Sequence, residues 1–214
     1  GLLNVVLNGS FSSNPDWAQA DSDFMRAVGE TFGGNTLFFS WSGWGVTFLT
    51  GYAGIFNAAE ELAYFINNQY QFEPGEPLNI VGFSHGGSVA TVASWLINRP
   101  IDNLVFLGTS NNWDLPAVNV DNGKKVKNYC NVSAAADWVQ FFAASPEQVH
   151  QTLLHTTIAA QLTIRATDAF LDGDLDLGFH YLELAAQATA IAARYFMGTK
   201  IDLYANTNVL LGYD

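Results

Sequence analysis

The stretch Gly82-Phe83-Ser84-His85-Gly86-Gly87 carries residue types that could make an oxygen nucleophile. A serine lies between glycines, directly after the strand-like run "LNIV" (78–81). A nucleophile held on a sharp strand-to-helix turn needs small neighbours, because its strained backbone leaves no room for nearby Cβ atoms. Gly82, Gly86 and Gly87 provide that clearance, and Val89, Val92, Ala93 and Leu96 repeat at helical spacing behind them. A helix starting at residue 85 would aim the positive end of its dipole at the serine, favouring an alkoxide and an oxyanion beside it. The competing reading is a glycine-rich phosphate loop. Such a loop would need Gly-Lys-Ser/Thr, or G-x-G-x-x-G near the first strand, and neither is present.

Elements able to hold this turn can be read along the chain. "LLNVVLNGS" (2–10), "NTLFFSWSG" (35–43), residues 78–83 and "DNLVFLGTS" (102–110) read as strands, and "KVKNYCNVS" (125–133) as a weaker one. Helical periodicity marks 21–34, 51–70 and 85–98, with Gly33-Gly34 as a stop for the first. After residue 140 the pattern changes: 146–171 and 179–197 read as Ala- and Leu-rich helices, and the tail from 199 reads as a last strand or a surface segment. Alternating strands and helices predict an α/β fold around a mostly parallel sheet, with helices on both faces and a helix-rich C-terminal third. No linker or repeat divides the chain. One domain over 1–214 is expected, with a helical cap or cover within 140–198.

Composition narrows the partners. Twenty acidic against eight basic residues give a net charge of −12, which repels phosphate backbones and anionic membrane surfaces, so no nucleic-acid partner is expected. The single cysteine, Cys130, excludes an intrachain disulfide and a cysteine-based zinc site. No H-E-x-x-H or other clustered ligand set occurs, so neither a metal nor an organic cofactor is expected. No run of 18 apolar residues suggests a membrane span. The chain opens in a strand-like run without a basic-then-apolar leader, and a soluble protein is expected, cytoplasmic or secreted after processing.

"VVLNGSF…W…F…G…LFFSWSG" followed by "NIVGFSHGGSVA" resembles α/β-hydrolases of the lipase/esterase type. The likeness is to small hydrolase-like domains with His-Gly-Thr/Ser after the first strand, then Trp-Ser-Gly, then Gly-(His/Phe)-Ser-His-Gly-Gly. It covers roughly residues 2–140. Asn8 departs from the pattern where many relatives have histidine, at a position that supports the loop and does not react.

The resemblance implies a Ser-His-Asp triad and an oxyanion hole of two backbone N–H groups. His85 would supply one amide, and Ser10 or Phe11, in the loop after the first strand, the other. Because the triad runs Ser, acid, His along the chain, Asp137 on the loop after 125–133 is the expected acid, with Asp114 and then Asp121 as alternatives. His180, after the acidic, Gly-bounded "LDGDLDLGF", is the expected base and His155 the runner-up. His85 leaves on the helix, and His150 reads as a polar helix position.

Trp41, Trp44 and Phe48 after one strand, and Trp138 beside the expected acid, would line an apolar pocket. Together these features lead us to expect a serine hydrolase cleaving carboxylic esters, lipid or fatty-acyl esters above all. The alternatives are an inactive binding scaffold of the same fold, or a thioesterase or acyltransferase with the same triad.

Overall fold

The structure, a computed structural model, describes residues 2–9, 14–42, 52–134, 145–198, 200, 202 and 204–211. Strands β1 (Leu3–Leu7), β2 (Asn35–Phe39), β3 (Leu78–Phe83), β4 (Ile101–Leu107), β5 (Val126–Ala134) and β6 (Thr207–Leu211) form one sheet in the order β2-β1-β3-β4-β5-β6. Every pairing in it is parallel. β1 is buried along its whole length, as a parallel strand covered on both faces must be.

Helix α1 (Asp23–Phe32) covers one face, packing Met25 and Val28 against Val6 and Val81. Its start is fixed by Ser22, whose hydroxyl accepts from the Met25 amide at 3.2 Å, and its end by Gly33 at φ 72°. Helices α2 (Ala53–Tyr64) and α3 (His85–Leu96) cover the other face, where Ile55, Leu62, Val89 and Ala93 meet Val5, Ile80 and Leu104. The expected α/β class, with a parallel sheet and helices on both faces, is what the chain adopts. The C-terminal tail, left open by sequence, supplies the exposed edge strand β6.

A polar ladder that periodicity does not announce crosses the α1 face. Asn4, Asn79, Asn103 and Asn128 stand in register on β1, β3, β4 and β5. Each side-chain amide donates to the next carbonyl oxygen: Asn128 to Asn103 at 3.0 Å, Asn103 to Asn79 at 2.7 Å, Asn79 to Asn4 at 2.8 Å. Asn4 closes the series by donating to the Gly33 carbonyl at 2.7 Å. Asn79→Ala would strand the Asn4 oxygen and an Asn103 N–H, at about 3 kcal/mol in all. For a chain of this length that lowers Tm by roughly 6–12 °C. A melt within about 2 °C of wild type would show the ladder to be dispensable.

Helices α4 (Pro146–Leu171) and α5 (Leu175–Gly198) make a long antiparallel hairpin that packs chiefly on itself. Thr152, Ala159 and Ala166 face Gly178, Ala185 and Ala192 at seven-residue intervals, so small residues let the two backbones approach closely. A capping box joins Ser145 to Gln148, and Gln148 also donates to the Asn111 carbonyl at 3.0 Å. Trp113, on the loop after β4, meets Tyr195 with ring centroids 5.5 Å apart. Those contacts tie the base of the hairpin to the sheet. Among the described residues no helix is long and apolar enough to cross a membrane.

Candidate active site

β1 and β3 are neighbours whose onward connections run in opposite directions, β1 toward β2 and β3 toward β4. Such a reversal opens a crevice at the carboxyl ends of the strands, where ligands of open α/β sheets bind. Ser84 sits at that point, between the end of β3 and the first residue of α3. Its backbone has φ 51° and ψ −126°, a conformation that side-chain-bearing residues rarely adopt. The strain is held from two sides. The Ser84 amide donates to the Leu107 carbonyl at 2.9 Å, and its own carbonyl accepts from Thr109 Oγ1 at 2.8 Å and from the Gly87 amide at 3.0 Å.

Clearance around the serine matches the expectation for its glycines. A Cβ on Gly82 would lie 2.6 Å from Gly87 Cα, and one on Gly86 2.6 Å from the Asn8 carbonyl oxygen. A Cβ on Gly87 would collide with Thr109. Gly9, in the turn that leaves β1, is equally constrained, since its Cβ would stand 2.9 Å from Ser84 Cβ. The β1 turn therefore lies directly against the serine. Ser84 is half-buried, and among the described residues nothing hydrogen-bonds to its Oγ.

Asn8 and Trp41 hold the β1 turn in place. The Trp41 amide donates to Asn8 Oδ1 at 3.1 Å, Asn8 Nδ2 donates to the Trp41 carbonyl at 3.2 Å, and the Trp41 indole donates to the Asn8 carbonyl at 2.7 Å. Trp41 is only 4% exposed and belongs to the core beneath the crevice. Its bonds to Asn8 give it a supporting position under the β1 turn. Ser10, Phe11, Trp44, Phe48, Asp137 and Trp138 lie outside the described residues.

His85, first residue of α3, is buried, and its amide sits at the positive end of a 12-residue helix. The other three histidines are on the hairpin. His150 is exposed on α4. His155 bonds the Gln151 carbonyl through Nδ1 at 2.9 Å and stacks on Tyr195. His180 is exposed inside α5, where its ring neighbours Tyr181. The acidic stretch before it is not a long loop: Gly173 turns at φ 81°, and Asp174 caps α5 by accepting from the Leu177 amide at 3.0 Å. About 27 Å of helix then separate His180 from Gly198 at the hairpin base. Asp114 accepts from the Tyr52 hydroxyl at 3.0 Å, and Asp121 starts a short 3-10 turn.

Thr109, Gly9 and the Asn8–Trp41 lock escaped the sequence reading. "NG" at the end of β1 was the available signal for Gly9. Thr109 had none, because its role arises from the register of β4 beside β3. No protein-family model matches this chain, and no curated protein matches it.

Proposed function

We propose that this protein is a serine hydrolase of the α/β-hydrolase type that cleaves carboxylic esters, lipid or fatty-acyl esters foremost, with Ser84 as the nucleophile. The observation that carries the reading is the strained Ser84 backbone at the β3–α3 turn, pressed against Gly9 of the β1 turn. Strain of this kind costs about 1–3 kcal/mol and persists only where the surroundings enforce it. In an acyl transfer, the base takes the Ser84 proton as Oγ attacks the ester carbonyl. The His85 amide and that of Ser10 or Phe11 stabilise the oxyanion, the alcohol departs, and water releases the acid from the acyl-enzyme.

Asp137 and His180 remain the proposed acid and base. For His180 this requires the α4–α5 hairpin to lie across the carboxyl edge of the sheet during turnover, because a base must come within hydrogen-bond reach of the proton it removes. A fluorophosphonate probe, with p-nitrophenyl esters of graded chain length, tests the reading. Wild type should label and turn over, and His180→Ala should lower kcat by about a thousandfold or more without changing the melt. Unchanged turnover in His180→Ala would remove that residue from the site.

One observation favours a second reading, a binding scaffold without catalysis. Three of the four histidines are on the hairpin, and His180, the proposed base, is exposed inside α5 with about 27 Å of helix between it and the hairpin base. A folded wild type that never labels would establish that alternative.

A further inference from the structure

A cavity of about 270 Å3 lies between α3, the loop after β4 and the turn leading into β6. Phe106, Trp113, Tyr129 and Tyr204 contribute aromatic rings to its lining, and Asp202 and Ser110 its most exacting polar groups.

Asp202 is 8% exposed, and among the described residues no cation pairs with it. Its carboxylate accepts from the Tyr129 hydroxyl at 2.6 Å and from the Tyr204 amide at 2.9 Å. Burial, reinforced by the Asp202 charge, pushes the Tyr129 phenol far above the ordinary tyrosine range, so Tyr129 stays a neutral donor and leaves that charge uncancelled. Ser110 is 6% exposed, and among the described residues its Oγ has no hydrogen-bond partner. Buried charges are ordinarily paired and buried hydroxyls ordinarily bonded, so both groups point to an occupant.

We propose that this cavity binds a small organic ammonium ion of about choline's size, with Asp202 as counter-charge, the aromatic rings as cation–π walls and Ser110 bonding a polar substituent. An anion would meet Asp202 and a net charge of −12. An apolar molecule would leave both Asp202 and Ser110 uncompensated. The inference stands whether or not Ser84 is catalytic.

Calorimetric titration of the full chain with choline and with ethanolamine tests it, using 3,3-dimethylbutanol as the neutral isostere of choline and potassium chloride as the inorganic cation. Saturable binding of at least one ammonium at about millimolar Kd or tighter is expected, with none for the isostere. Asp202→Asn should weaken that binding by about tenfold or more, the loss of roughly 1.4 kcal/mol. Ser110→Ala keeps the Tyr129–Asp202 bond, should weaken binding several-fold, and decides the matter if Asp202→Asn does not fold. Equal binding of the isostere, displacement by potassium at matched concentration, or no heat from either ammonium up to about 10 mM overturns the proposal.

Discussion

Ser84→Gly is expected to abolish fluorophosphonate labelling and ester turnover while raising the melting temperature. The two effects have separate origins. Removing the hydroxyl removes the proposed attacking atom, and loss of a serine nucleophile lowers kcat by about 10⁴-fold or more. Removing Cβ relieves a backbone held at φ 51° and ψ −126°. Relief of about 1–3 kcal/mol, less about 0.5–1 kcal/mol for the greater freedom of glycine in the unfolded chain, leaves a net gain near 1 kcal/mol. In a chain of this length that is roughly 2–4 °C in Tm. Ser84→Ala separates the two: it should be equally inactive but melt with wild type, because it keeps the Cβ. A glycine variant that melts below wild type would show the turn to be unstrained. An alanine variant that still turns over ester would show that Ser84 is not the nucleophile.

The parallel sheet was legible because its strands are nearly continuous apolar runs bounded by glycine, and "GFSHGG" was legible because a strand-to-helix turn around a serine needs those glycines. The asparagine ladder was not legible. Asn4, Asn79, Asn103 and Asn128 lie far apart in sequence and acquire a common purpose only when the strands align. The bonds that Trp41 makes to Asn8 were not legible for a related reason. An aromatic residue in a loop beside a site reads as a pocket wall, and only the three bonds to Asn8 reveal it as the strut beneath the β1 turn.

His180 marks where local pattern stops being informative about a site. Two glycines and three aspartates in "LDGDLDLGF" suggest an irregular loop, yet Asp174 works as a helix cap and α5 begins at Leu175. Helix caps and loop aspartates look alike in sequence, since both use a short carboxylate to bond a nearby amide. Which face of the protein a histidine reaches then depends on how the hairpin sits, and its heptads of alanine fix only the packing of α4 against α5.

Gly86→Ala should be among the most destabilising single-methyl additions in the chain, and the reason lies in backbone rather than side chains. The added Cβ would stand 2.6 Å from the Asn8 carbonyl oxygen, 2.7 Å from the Leu7 carbonyl oxygen and 2.9 Å from Leu7 Cβ. None of these atoms is the end of a flexible side chain. The Asn8 carbonyl is bonded to the Trp41 indole, and β1 is paired on both sides. α3 must therefore move away from β1, at about 3 kcal/mol, the upper part of the usual range for overpacking. The expected loss is roughly 6–12 °C in Tm. The same shift carries the His85 amide away from the β1 turn, so the molecules that still fold should label more slowly at Ser84. Gly29→Ala provides the contrast. Its Cβ would meet only the Thr36 hydroxyl, at 3.3 Å, and alanine favours the interior of α1 by about 1 kcal/mol, so that variant should melt close to wild type. If Gly86→Ala melts within about 2 °C of wild type, α3 and the β1 turn are not in the close contact that holds Ser84 in its strained conformation.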